Sequence, residues 1–237
     1  TRTPSSAASD VYKRQEEIVD FCFDGGNSDG IYIENGKAYW RKPKRGEYRT
    51  YTKKDIRSLS LEELRCFFTE NKVQAFRGNQ VYQWLWQKGI HSFEGMTNLS
   101  KSNRALLQKH FVINHIDINH QQKSNDGTIK NAVKLYDNLV VESVLIPTAT
   151  RTTACVSSQV GCSLDCKFCA TAKIKRMRNL NADEIYDQVV AIDRQSRLYF
   201  DRPLSNIVFM GMGEPLMNYK NLINAIEKIT HQDGLGM

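Results

Sequence analysis

Apolar residues recur every three or four positions between residues 59 and 112, then at every second position between 115 and 147. That change of period predicts helices followed by strands. Ser60 with Glu63 forms a capping box, and Leu61, Leu64 and Phe68 follow at helical spacing. A second helix is predicted near Gly78–Lys88, with Val81, Trp84 and Leu85 on one face, and a third near Lys101–His110, with Leu106 and Leu107 inward. Trp84 and Trp86 read as core and shoulder residues rather than a platform for stacked bases. In the period-two region the turn sequences Asn125-Asp126-Gly127 and Tyr136-Asp137-Asn138 set off the runs Ile129–Leu135 and Leu139–Leu145. The expectation is a three-stranded meander closed by Pro147. From Arg151 the pattern becomes strand, loop, helix. A strand near Thr152–Ser157 precedes a cysteine-rich loop, and Asn181 with Glu184 opens a helix whose inner face is Ile185, Val189 and Ile192. The short strand Asn206–Met210 then ends in Gly211-Met212-Gly213-Glu214-Pro215, before a helix carrying Leu222, Ile226 and Ile229. Such repeats predict a parallel sheet or barrel, whose chemistry sits on loops at the C-terminal ends of the strands. Both loops fall there.

The first 58 residues carry weaker signals. Asn35-Gly36 between Ile31-Tyr32-Ile33 and Lys37-Ala38-Tyr39-Trp40 is a hairpin signal. From Lys37 to Arg57 nine Lys/Arg face two acids, with Tyr39, Trp40, Tyr48 and Tyr51 interleaved. Such a run can grip phosphates and stack bases, but a solvated basic linker is the preferred reading. Residues 1–15 lack apolar periodicity and an initiator Met and read as a tail or as sequence foreign to the domain. Gly234–Met237 ends without a terminating element. The expected organisation is an unassigned extension over 1–58, a helical RNA-binding-type domain over 59–114, a meander over 115–150, and the first part of a barrel over 151–237.

Composition changes this picture little. The chain has 237 residues, 41% hydrophobic and 25% charged, the proportions of an ordinary globular protein. Its net charge of +7 points to an anionic partner, nucleic acid first. No apolar run approaches the roughly 20 residues that cross a bilayer, and no signal peptide is visible, so no membrane partner and a cytoplasmic location are expected. Of six cysteines, half sit in one tight cluster, which favours ligand thiols over disulfides.

That cluster is Gly161-Cys162-Ser163-Leu164-Asp165-Cys166-Lys167-Phe168-Cys169, with spacing C-x3-C-x2-C. Three cysteines are one short of a closed structural zinc site and one short of a fully ligated [4Fe-4S] cluster. A cubane held at three corners leaves an open iron for a substrate or cofactor. The spacing resembles the radical S-adenosylmethionine (SAM) signature, in which the open iron chelates SAM and the cluster's electron cleaves it to a 5′-deoxyadenosyl radical. The competing reading is a zinc knuckle completed by Cys155 or a distant His, which would make the chain an RNA-binding module without chemistry. Cys22 and Cys66 lie outside every motif, and the histidines show no ligand spacing.

Longer stretches carry a more specific resemblance. Cys155–Cys162, Cys166-Lys167-Phe168-Cys169 and Met210-Gly211-Met212-Gly213-Glu214-Pro215-Leu216 closely resemble the dual-specificity 23S rRNA/tRNA adenine-C2 methyltransferase family. Ser124–Lys130 and Val141–Pro147 resemble its strands before the barrel, and Ala75–Val81 its N-terminal helical domain. The resemblance runs from about Leu59 to Met237 and leaves 1–58 uncovered. It implies an α/β fold: a small helical domain and short meander, then the first part of a radical SAM partial (βα)6 barrel. It also implies a reaction. C2 of adenine is an electron-poor carbon that cannot attack the SAM methyl as an ordinary nucleophile. In the family one SAM methylates a cysteine near the C-terminus, and a second SAM yields the radical that activates that methyl for addition to C2. A further cysteine resolves the protein–RNA adduct.

Carried onto this sequence, Cys162, Cys166 and Cys169 bind the [4Fe-4S] cluster, and Gly213 and Glu214 contact SAM, with Phe168 near its adenine. Cys155 aligns with the resolving cysteine and Glu142 with a proton acceptor. The implied partners are 23S rRNA, tRNA and an electron donor such as flavodoxin or ferredoxin, with the protein a monomer. A related adenine-C8 methyltransferase is the neighbouring alternative. The family's later barrel strands and its methyl-carrying cysteine have no counterpart here, so the chain is expected to be an N-terminal portion, inactive alone, with an open sheet edge and poor solubility.

Overall fold

The computed structural model describes residues 31–34, 37–40 and 53–237. The first two stretches are strands β1 (Ile31–Glu34) and β2 (Lys37–Trp40), paired antiparallel with Ile31 opposite Trp40. The expected Asn35-Gly36 turn between them lies outside the described residues. The rest of the basic run up to Thr52 lies outside the described residues, as does Cys22.

Residues 53–237 form a separate compact unit. It opens with β3 (Lys54–Asp55) and a 3-10 turn over Ile56–Ser58. The boundary expected after residue 58 therefore falls inside this unit. Helix α1 (Leu61–Glu70) starts at the predicted capping box: the Ser60 N–H donates to Glu63 Oε2 at 2.7 Å, and the Glu63 N–H to Ser60 Oγ at 3.2 Å. Helix α2 (Phe76–Trp86) crosses α1 closely. A Cβ on Gly78 would lie 2.8 Å from the Arg65 backbone nitrogen, so only glycine fits. Helix α3 (Lys101–His110) leads into β4 (Phe111–Val112), which pairs parallel with β3. Leu64, Phe68, Val81, Leu85, Met96 and Leu107 are buried between the helices, burial worth about 1.5–3 kcal/mol for each large side chain. Trp86 is buried and Trp84 only half-buried, the reverse of the order expected with Trp84 on the inward face beside Val81 and Leu85, because Trp86 packs edge-on against Tyr186.

The meander is β5 (Asp117–Lys123), β6 (Ile129–Lys134) and β7 (Val140–Pro147). It continues into β8 (Thr152–Cys155), which ends two residues before the expected strand did. Short β9 (Gln159–Val160) and β10 (Arg178–Asn179) pair antiparallel beyond it. Helix α4 (Ala182–Phe200) has the predicted Asn181–Glu184 box, and β11 (Asn206–Val208) and α5 (Tyr219–Thr230) follow. The meander and the βα strands are one sheet, in the order β11-β8-β7-β6-β5. Only β8 and β11 run parallel, joined through α4. Among the described residues β11 is paired on one side only.

Alternation decides which sheet face is covered. Val141, Leu145 and Ala154 are fully buried, as are Ile185, Val189 and Ile192 of α4. The helical region also rests on α4. Tyr186 meets Trp86 edge-on at 5.1 Å and donates its hydroxyl to the Trp86 carbonyl. Beside it Arg57 is buried and donates to both Asp187 carboxylate oxygens at 2.8 Å, to Asp183 at 3.0 Å and to the Asn114 carbonyl. The basic run was read as a solvated linker, yet Arg57, its last member, is instead a buried tie, because three aspartates converge on it.

Candidate active site at the ends of β8 and β11

The β8–β11 ladder does not stop where the strands do. The Val156 N–H donates to the Val208 carbonyl, the Gly211 N–H to the Val156 carbonyl, and the Ser158 N–H to the Met212 carbonyl, each at 3.0 Å. The Ser157 hydroxyl donates to the Glu142 carbonyl and accepts from the Met212 N–H at 2.8 Å. On the helix side, the Gln188 carboxamide accepts from the Ser157 N–H at 2.9 Å and donates to its carbonyl at 3.2 Å. The segment entering the cysteine loop is thus held by β7, by α4 and by the glycine loop together. Two glycines make this approach possible. A Cβ on Gly211 would stand 2.7 Å from Ser157 Oγ, and Gly213 has φ +92°, a conformation side chains resist. Glu214 caps the following 3-10 turn, accepting from the Leu216 N–H at 3.3 Å.

Residues opposite one another in register share a face. Val144 opposes Cys155, Glu142 lies two positions before Val144 on β7, and Lys130 opposes Val144 from β6. Lys130, Glu142 and Cys155 therefore lie on the sheet face away from α4. Lys130 Nζ and Glu142 Oε1 are 2.7 Å apart, their side chains 12% and 15% exposed. Burial pushes the Cys155 thiol up, the Met210 N–H draws it down, and the Glu142 charge raises it again. At neutral pH it is a protonated thiol.

Cys162, Cys166 and Cys169 are half-buried free thiols on the loop beyond β9. The loop is pinned by its backbone. The Cys162 N–H donates to the Ile174 carbonyl at 3.1 Å and the Cys169 N–H to the Cys166 carbonyl at 3.0 Å. Gly161 turns at φ +72°, where a Cβ would meet the Lys175 carbonyl at 2.5 Å. Among the described residues no three His, Cys, Asp or Glu side chains are gathered as a metal site. The three thiols share a loop without converging. As a donor set they fit a soft metal centre: three thiols free of disulfides, one already accepting an N–H, from Leu164 to Cys162 Sγ at 3.4 Å. Phe168 is 77% exposed and no part of the core, and Met210 and Leu216 are 79% and 69% exposed.

Residues 54–113 match the ribosomal RNA large subunit methyltransferase N-terminal domain, and residues 156–235 match the radical SAM superfamily. Over 185 residues the chain is 72% identical to a probable dual-specificity RNA methyltransferase RlmN of Flavobacterium psychrophilum, an alignment covering 78% of this chain and 53% of that protein. It is 45% identical over 182 residues to the dual-specificity RNA methyltransferase RlmN of Geotalea uraniireducens, covering 77% and 51%. The chain belongs to this radical SAM RNA methyltransferase family. A crystal structure of a radical SAM methyltransferase from Sphaerobacter thermophilus matches with a TM-score of 0.68 at 34% identity, covering 78% of this chain and 54% of that one. The chain spans about half the length of the curated relatives it matches. The N-terminal match begins at residue 54, a little before the resemblance seen from Leu59, and so takes in Arg57. No helix among the described residues is long and apolar enough to cross a membrane.

Sequence reasoning missed the residues that hold the two loops together. Ser157 stood inside a quoted motif without a role. Gln188 sat among the polar positions of α4, and Asn218, which donates to the Ser158 and Leu180 carbonyls at 2.8 Å, ended an unremarkable turn. A polar residue at a helix position otherwise read as inward was the available signal for Gln188.

Proposed function

We propose that the chain is the part of a radical SAM methyltransferase that binds cluster and cofactor, and that the complete enzyme methylates C2 of an adenosine in 23S rRNA and in tRNA. The observation that supports this best is the extended β8–β11 ladder. It seats the Gly211–Glu214 loop against the segment running from Cys155 to Cys162, with Glu142 on the adjoining strand. In this reading Cys162, Cys166 and Cys169 hold a [4Fe-4S] cluster, which when bound supplies the electron for reductive cleavage of SAM. Gly213 lets the backbone approach the ligand, Glu214 offers an acceptor for the SAM ammonium, and the exposed Phe168 shields its adenine.

Cys155 and Glu142 serve the RNA side. As a protonated thiol Cys155 is poorly nucleophilic until a base takes its proton. Glu142, on the same face and ion-paired to Lys130, is a carboxylate positioned to accept a proton as the adduct resolves. The methyl-carrying cysteine belongs to the half of the relatives that this chain does not span, so residues 1–237 alone bind cofactor without turnover. An electron donor such as flavodoxin or ferredoxin completes the system, and the protein acts as a cytoplasmic monomer.

The test is nucleoside mass spectrometry on tRNA and 23S rRNA. Each is incubated anaerobically with SAM, a reductant and a protein of the relatives' full length carrying these residues. The reading expects 2-methyladenosine, lost in Glu142→Gln and Cys155→Ala. Formation of 8-methyladenosine instead would move the target to C8 and overturn the assignment of C2.

A further inference from the structure

Gln159 contacts the glycine loop at three consecutive residues. Its backbone N–H donates to the Met212 carbonyl at 3.2 Å. Its side-chain stem lies where a Cβ on Gly213 would fall, 2.4 Å from Gln159 Cβ. Its carboxamide oxygen accepts the Glu214 N–H at 2.9 Å. The other end of the same amide donates to Asn179 Oδ1 at 2.7 Å, and Asn179 in turn donates to the Met217 carbonyl at 3.2 Å and accepts from Arg176 at 3.0 Å. The whole residue is inaccessible to solvent.

A buried carboxamide costs stability unless both its ends are satisfied, and here both are, on either side of Glu214. A leucine or methionine would fill the same space without that requirement, so the polarity points to a task. From this geometry we infer that Gln159 is a positioning residue for SAM. It fixes the backbone of Gly213 and Glu214, and hence the direction of the Glu214 carboxylate, through the chain Glu214–Gln159–Asn179–Met217. The residue two positions before Gly161 thus couples the cysteine loop to the cofactor loop. The inference rests on the proposed SAM site.

Two measurements test it, one of them free of that site. In metal-free protein, amide hydrogen exchange of the 211–217 segment should speed up about tenfold in Gln159→Met, which loses the acceptor for Glu214. It should recover only in part in Gln159→Glu, to about threefold, because that side chain keeps an acceptor for Glu214 but loses the donor to Asn179. In anaerobically reconstituted protein, SAM affinity should fall about tenfold in Gln159→Met and recover to about a threefold loss in Gln159→Glu, with iron content unchanged in both. Asn179→Ala, which removes only the far anchor, should show about a threefold loss of affinity. Unchanged exchange and affinity in Gln159→Met would overturn the inference. So would a loss of affinity that tracks loss of iron or a lowered unfolding midpoint and is not rescued by Gln159→Glu, since that is what a packing role gives. If the unaltered protein binds no SAM, the site itself is misassigned and the inference falls with it.

Discussion

The Arg57 junction and the cysteine loop both gather ionisable groups, and they treat them oppositely. At the junction a buried guanidinium meets Asp55, Asp183 and Asp187, with fixed partners at 2.8–3.0 Å on two of the three. Its charges are answered within the protein. In the cysteine loop three thiols are placed by backbone hydrogen bonds while their sulfurs stay apart, and large apolar residues around them remain exposed. A network closed on itself is architecture. Thiols placed by backbone on a largely exposed loop are, in the proposed reading, donors to a group that comes from outside the chain.

The largest effects should separate these two regions cleanly. Alanine at Cys162, Cys166 or Cys169 is expected to abolish iron and sulfide incorporation on anaerobic reconstitution, while far-ultraviolet circular dichroism and the unfolding midpoint barely move. A fold lost with any one thiol would make the loop structural, as a zinc knuckle would be. Arg57→Ala should do the reverse, destabilising the protein by about 3–5 kcal/mol in denaturant titration because it strands buried carboxylates. Loss of only a few tenths would show that the junction is not a tie. Ser60→Ala, at the edge of the helical region, should cost about 1 kcal/mol through its lost cap and leave cluster loading unchanged.

A further effect is a pH dependence at the junction. Burial, then the Arg57 and Arg194 cations, push His91 from 6.5 down to about 4. The unfolded chain therefore binds this proton more readily, so the stability His91 contributes is present above pH 6.5 and is lost as pH falls toward 4. A pH titration of stability comparing the unaltered protein with His91→Gln should isolate that slope. Identical slopes would remove His91 from the junction's electrostatics.

What could be read from the chain follows the range of the forces involved. The Ser60–Glu63 and Asn181–Glu184 boxes, the meander turns and the Val189 face of α4 are local patterns, and each is where the sequence placed it. The C-x3-C-x2-C spacing is a local pattern too, written in eight neighbouring residues, and the cluster it implies stays a proposal. Hidden from that reading were contacts made across more than thirty positions: Gln188 to Ser157, Glu214 to Gln159, Arg57 to Asp187. Apart from the inward helix position of Gln188, nothing in the local pattern marks these polar residues as buried, because each partner lies on another element. The same gap made Arg57 look like the last member of a solvated run.

The central claim is that the Cys162–Cys169 loop holds a cluster with an open iron that the Gly213–Glu214 loop supplies with SAM. The most direct test is electron paramagnetic resonance of the reduced, anaerobically reconstituted protein with and without SAM. The account predicts a reduced [4Fe-4S] signal whose g values shift when SAM is added. A spectrum unchanged by SAM, or a colourless protein carrying zinc in place of iron, would contradict it.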